Sequence, residues 1–320
     1  MTPHVAVNIM KENTDSIKSF RIEAKNPGPN VLVTAGVHGD EYEPMLAAVE
    51  LMQDLPKVLI SGSVTVVSIV NISAYSIGSR YGEDHLDLAR ICPGNSEGSV
   101  SEKSAFQIST LIKDADYLID MHTGGFAYDI YPMAGFVLHP SQEILKKQQE
   151  MALAYNMPVI WGTDHRPNGR TLSIARDANV PAIYLEYGGG TGIRKEVVKS
   201  YKEGFINVLK FLHMVEGSVE ILSPESRFWI EDSRPDSGYL QGKMPSPLEG
   251  IFISDKAPGG QIKKGERFGR IIDPHTGNQT AIVAGMDGIV LSVRVLVNVK
   301  RGDALGAILP ILKPGKIIIN

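Results

Sequence analysis

The sequence predicts an α/β layered domain followed by a smaller all-β domain, and three observations predict it. Up to about residue 216, short β-branched runs alternate with longer amphipathic stretches, the pattern of a central sheet with helices on both faces. After Glu216-Gly217 prolines and glycines take over, with short strands and no further convincing helix. Within that tail one segment recurs: Gly250-Ile251-Phe252, Ile262-Lys263-Lys264-Gly265-Glu266 and Gly269 return as Gly288-Ile289-Val290, Val299-Lys300-Arg301-Gly302-Asp303 and Gly306. The expected domains are therefore residues 1–216 and 217–320.

In the first domain, Val31–Ala35, Val64–Val70, Tyr117–Met121, Phe136–Leu138 and Ala182–Leu185 read as strands. Glu43–Leu55, Ser101–Lys113, Ser141–Tyr155 and Arg194–Val215 read as helices long enough to cover a sheet. The repeat in the tail implies two copies of one β unit and resembles the two-fold sandwich of biotinyl and lipoyl carrier domains. Those carriers hold a modified lysine on the hairpin between the halves, whereas here no lysine occurs between Lys264 and Lys300. The tail is read instead as a scaffold that packs on the first domain or mediates assembly into a homo-oligomer.

A chain of 320 residues, 43% hydrophobic and 7% aromatic, can bury a substantial core. Its net charge of −4 leaves no basic surplus for phosphate neutralisation, so no nucleic-acid partner is expected. The local cluster of Lys256, Lys263, Lys264, Arg267 and Arg270 reads as a solvated face. A lone Cys92 excludes an internal disulfide and any thiolate-only metal site, in keeping with a reducing compartment. The start lacks a basic segment followed by an apolar one, and no apolar run approaches the roughly 18 residues that span a bilayer. The expected setting is cytoplasmic, with no membrane partner.

Chemistry concentrates where strands end. The segment Thr34-Ala35-Gly36-Val37-His38-Gly39-Asp40-Glu41 leaves a strand and enters a helix, so His38 and Glu41 fall at the sheet's C-terminal edge, where ligands bind in α/β folds. Residues three apart at a helix entrance can converge, and an imidazole with a carboxylate suits zinc. A second strand, Tyr117–Met121, runs into His122, which brings a third donor to the same edge. Two histidines and a glutamate with one position open compose a catalytic zinc site rather than a structural one. Asp120 lies two residues before His122, on the same strand face, where it can brace an imidazole. A third strand ends at Glu186 before Gly188-Gly189-Gly190, where a carboxylate can serve as general base and acid.

With these residues assembled, the chain resembles the succinylglutamate desuccinylase/aspartoacylase family, a deacylase branch of the zinc carboxypeptidases. Four ordered elements carry the resemblance: His38-Gly39-Asp40-Glu41, Asp87-Leu88-Ala89-Arg90 with Cys92-Pro93-Gly94, Asp120-Met121-His122-Thr123, and Glu186 before its glycines. The resemblance spans the whole length. It implies a mixed sheet, a β-rich C-terminal domain and one zinc ion per chain on His38, Glu41 and His122, with Glu186 as general acid/base. It also implies that Arg80 polarises the scissile carbonyl and that Arg90 grips a substrate carboxylate, with Arg170 as a further substrate-binding arginine. Ala89 stands where the family usually has asparagine and Cys92 where phenylalanine is common, which bears on substrate preference. The activity implied is hydrolysis of the amide bond of a small N-acylated amino acid or diamine.

Two rivals and one decoy are weighed against it. A zinc carboxypeptidase acting on peptides would use the same metal and glutamate, and a binding protein on a decayed scaffold would keep the fold without them. Gly94-Asn95-Ser96-Glu97-Gly98 matches a serine-hydrolase elbow in letters. That elbow needs a strand running directly into the serine, and Ile91-Cys92-Pro93-Gly94 is a loop.

Overall fold

In the computed structural model, which describes residues 6–9, 17–190 and 192–319, the β-branched runs pair into one mixed sheet of thirteen strands. It opens with β1 (Ala6–Ile9), β2 (Phe20–Glu23) and β3 (Asn26–Thr34), then α1 (Tyr42–Val58) and β4 (Ser61–Val67). There follow α2 (Ile72–Ser76), α3 (Val100–Lys113), β5 (Tyr117–His122), β6 (Tyr128–Val137), α4 (Gln142–Tyr155) and β7 (Val159–Thr163). Next are α5 (Thr171–Asp177), β8 (Ala182–Gly188), α6 (Lys195–Phe211) and β9 (Phe228–Asp232). Along the sheet the order is β1-β2-β4-β3-β5-β8-β6-β7-β9. The central strands β4, β3, β5 and β8 run parallel, while β6 lies antiparallel to β8. That is the mixed sheet expected.

Alternation along the strands distributes the core to both faces. Val31 and Val33 of β3 join one apolar cluster with Leu51 and Leu55 of α1, Tyr155 of α4 and Phe205 of α6. Leu32, between them, joins a second cluster with Ile108 and Ile112 of α3 and Ala175 of α5. Helices therefore cover the sheet on both sides. Among the described residues no helix is long and apolar enough to cross a membrane.

The tail builds β10 (Gly250–Ser254), β11 (Gln261–Ile262), β12 (Arg267–Ile272), β13 (Gln279–Val283), β14 (Gly288–Arg294), β15 (Asn298–Val299), β16 (Gly306–Leu309) and β17 (Gly315–Ile319). The two sequence copies exchange strands: β10 of the first pairs with β15 of the second, and β14 of the second pairs with β11 of the first. A separate four-stranded sheet, β13-β12-β10-β15, results. Meanwhile β14 pairs with β6, and β17 lies parallel to β9, so the tail also extends the large sheet. The basic cluster faces acids of its own surface, with Arg267 and Arg270 on Asp255 and Lys263 on Asp287.

Several elements depart from the sequence expectation for local reasons. Strand β6 starts at Tyr128 rather than Phe136, because Pro132 and Gly135 interrupt a run whose register shifts between Ile130 and Met133. Strand β7 and the seven-residue α5 were not anticipated, being too short for a periodic signal. Helix α6 stops at Phe211 instead of Val215, and His213 takes a left-handed φ of 58°.

The turn from β3 into α1 depends on two glycines. Gly36 has φ +66°, and a Cβ on Gly39 would lie 2.0 Å from the carbonyl carbon of Ala74 in α2. Gly39→Ala is expected to cost about 1–3 kcal/mol, the range for overpacking. Gly285→Ala, whose Cβ would meet nothing within 4 Å, should leave stability unchanged in the same denaturant titration.

Candidate active site

Strands β3, β5 and β8 are adjacent and parallel, so their C-terminal ends deliver side chains to one edge. Register then fixes which residues meet: Thr34 lies opposite Asp120, and His122 opposite Glu186. Glu41 occupies the N-cap position of α1, and its carboxylate reaches both imidazoles. Its Oε1 is 2.7 Å from His38 Nδ1 and its Oε2 is 3.0 Å from His122 Nδ1. One donor atom each from His38, Glu41 and His122 lies within 4.8 Å of the others, and all three residues are buried.

The outer nitrogens of both rings face carboxylates. His122 Nε2 is 3.1 Å from Asp120 Oδ2, and His38 Nε2 is 3.3 Å from Asp87 Oδ1. A carboxylate at Nε2 holds the proton there and leaves the Nδ1 lone pair turned inward, the tautomer a metal ligand needs. Asp120 is itself fixed by hydroxyls, Thr34 donating to Oδ1 at 2.6 Å and Thr171 to Oδ2 at 2.5 Å. Arg80 grips Asp87 Oδ2 through Nε at 3.1 Å and Nη2 at 2.9 Å, while its Nη1 lies 3.4 Å from His38 Nδ1. The Tyr201 hydroxyl, from α6, donates to the His122 carbonyl.

Electrostatics follow from this crowding. Burial works against ionised Glu41, but the two imidazoles overcome it and bring its pKa down to about 2. Asp87 is likewise held well below the usual carboxylate range: burial opposes its charge, and His38 and Arg80 outweigh it. Burial disfavours a charged His122, yet Asp120 and Glu41 on its two sides push its pKa well above the ordinary value. Glu186 behaves oppositely. Its Oε2 is sealed from solvent with no hydrogen-bond partner among the described residues, and burial, with Glu41 nearby, pushes its pKa up to about 8.

The seven residues expected to bind metal or substrate or to act in catalysis, His38, Glu41, Arg80, Arg90, His122, Arg170 and Glu186, line one cavity of about 490 Å³, together with Asp120. Arg90 Nη1 donates to the Ala89 carbonyl at 2.7 Å, and its guanidinium lies 5.8 Å from the Tyr239 ring centroid. Arg170 Nε is buried without a partner among the described residues. The tail closes the cavity at two points. Gly238 and Leu240 reach it beside Thr163, and Arg294 with residues 302–304 reaches it beside Tyr128. Tyr128, Thr171, Tyr201 and Arg294 carry no local sequence signal, whereas Asp87 opens a motif already noted. Cys92 is buried with its thiol pushed up to about 12 by desolvation, unfit as a nucleophile. Ser96 lies in a turn rather than at a strand end.

Fold and site together define a deacylase, an amidohydrolase. The chain belongs to the succinylglutamate desuccinylase/aspartoacylase family, whose catalytic domain matches residues 27–212. It is 27% identical over 297 residues to the N-alpha-acetyl-L-2,4-diaminobutyric acid deacetylase of Halomonas elongata, covering 90% of this chain and 84% of that protein. Among solved structures it is similar to a succinylglutamate desuccinylase/aspartoacylase from Rhodobacter sphaeroides, with a TM-score of 0.81 and 25% identity over 96% of this chain and 94% of that one. Its fold is also that of the product-bound ectoine utilization protein EutE (DoeB) from Ruegeria pomeroyi, with a TM-score of 0.83 and 24% identity over 95% and 94% of the two chains.

The raised pKa of Glu186 has a signed consequence for the metal-free chain. Between the unfolded value near 4.5 and the folded value of about 8, the native state holds a proton that the unfolded state has lost, so stability falls as pH rises through that window. The lowered carboxylates act in the opposite sense, and only in acid. In urea unfolding of the metal-free protein, Glu186→Gln is therefore expected to gain stability relative to wild type on going from pH 5 to pH 8. A constant difference across that range would contradict the burial assigned to this carboxyl.

Proposed function

We propose that the protein hydrolyses the amide bond of a small N-acylated amino acid or diamine, releasing a carboxylate and an amine, with one zinc ion held by His38, Glu41 and His122. The observation that carries this reading is the pairing of three converging donors with a buried, unpartnered carboxylate oxygen on Glu186 in the same cavity. The donor set fits zinc: two imidazoles and one carboxylate, each ring braced at its outer nitrogen, with cavity space beside them. A zinc ion there supplies Lewis acidity toward water and toward the acyl carbonyl.

Glu186 takes the proton of the attacking water on its free Oε2 and returns it to the departing nitrogen. Burial pushes its pKa up to about 8, and a dication held by the three donors would favour the ionised form that a general base needs. Arg80, anchored on Asp87, keeps Nη1 toward the cavity and stabilises the negative charge that develops on the carbonyl oxygen. Arg90 and Arg170 bind a substrate carboxylate; the unpartnered Nε of Arg170 supports this. No covalent intermediate on the enzyme is needed.

A cavity of about 490 Å³ suits a metabolite rather than a polypeptide. The tail residues around Gly238 and Ala304 wall it, which speaks against a carboxypeptidase acting on long peptides. A small N-acyl compound is also what the name of the Halomonas elongata relative specifies for that protein.

Glu186→Gln should retain stoichiometric zinc but lose about 10²–10⁴-fold in kcat, the usual contribution of a general acid/base. His122→Ala should lose both metal and activity. Zinc analysis with initial rates on acetyl and succinyl amino acids and diamines checks this, and equal zinc loss in the two variants would make Glu186 a ligand instead.

A further inference from the structure

Five carboxylates line the cavity, and four have a task. Glu41 sits between the imidazoles, Asp120 is held by His122 and two hydroxyls, and Glu186 is the proposed base. Asp303 is neutralised by Arg294 Nη2 at 3.1 Å and capped by the Lys300 N–H at 3.0 Å. Asp40 is the remaining one. Its Oδ2 accepts the Phe126 N–H at 3.0 Å, and no lysine, arginine or histidine of the described residues pairs with it.

Asp40 also lines a second cavity of about 200 Å³, so its carboxylate stands where the two spaces adjoin. That side cavity is flanked by the rings of Tyr42 and Phe126, whose centroids are 5.9 Å apart. Its other carboxylate, Glu43, is already matched by Arg194 at 3.6 Å. Gly125 makes the junction: a Cβ there would lie 2.4 Å from Asp40 Oδ2. A carboxylate with no cationic partner among the described residues, at a cavity also lined by two aromatic side chains in edge-to-face contact, is a receptor for a primary ammonium group, by charge-assisted hydrogen bonding and by cation–π attraction.

We propose that Asp40, with Tyr42 and Phe126, receives an ammonium group on the amine half of the substrate, so that the enzyme selects N-acylated diamines and diamino acids over N-acyl amino acids with neutral side chains. The proposal rests on the deacylase reading above and narrows it. Asp40 contacts no reacting atom; it sets specificity. Asparagine in its place keeps an acceptor for the Phe126 N–H and removes only the charge.

The test compares kcat/KM of the zinc-loaded enzyme for N-acetyl-2,4-diaminobutyrate and for N-acetylnorvaline, in which a methyl replaces the ammonium. The ratio of the two, rather than either rate, is the readout. Wild type should favour the cationic substrate by about 10- to 100-fold, the usual worth of a hydrogen bond to a charged group, and Asp40→Asn should erase most of that preference. Phe126→Leu should erode it in part. Calorimetric binding of the free amines, 2,4-diaminobutyrate against norvaline, makes the same comparison without turnover. A wild-type ratio near one in both assays, or an unchanged ratio in Asp40→Asn, overturns the proposal. If no N-acyl substrate turns over while the free amines still discriminate through Asp40, the ammonium site stands and the deacylase reading fails.

Discussion

The site depends on a buried exchange of charge between carboxylates and imidazoles at the edge of three parallel strands. Glu41 joins the two rings from inside, and Asp87 and Asp120 hold them from outside. None of these groups can be removed alone without stranding a partner away from water, a loss of about 3–5 kcal/mol for a buried pair. The arrangement is costly to desolvate, so it persists only where the strands and the two hydroxyls of Thr34 and Thr171 over-determine it. A dication suits this set, because the inward nitrogens and Glu41 converge while the outer contacts are already satisfied.

The backbone around that centre is arranged to bring it close to neighbouring elements. Gly36 and Gly39 let the β3–α1 turn lie against α2, and Gly125 lets the loop after β5 lie against Asp40. The tail then converts an open edge into a cavity. Its strand exchange interlocks two sequence repeats, and β14 pairs with β6, carrying Arg294 to the Tyr128 hydroxyl. The part of the chain with no donor for the proposed metal thereby limits what reaches it.

The long amphipathic helices and the parallel strands were legible because periodicity is a local signal that burial enforces. Helices α1, α3 and α4 fall within a few residues of expectation, since their apolar faces and flanking turns coincide. Strand β6 was legible only at its end: Pro132 and a register shift mask a strand that is held by its neighbours on both sides. The short β7 and α5 owe their form to packing, and α5 matters because Thr171 on it holds Asp120.

What the sequence by itself determined is which polar side chains gather at one edge of the sheet. His38, Glu41, His122 and Glu186 each follow or end a β-branched run, and parallel strands turn such residues toward one side. What only the tertiary structure decided is how those side chains are tuned and enclosed. The bracing of His38 by Asp87, the isolation of Glu186 Oε2, the seating of Asp40 on the Phe126 N–H and the wall lent by Arg294 at Tyr128 depend on contacts between residues up to 166 positions apart. Burial and pairing depend on distance in space, and nothing local in a chain records which remote side chain will exclude water from it.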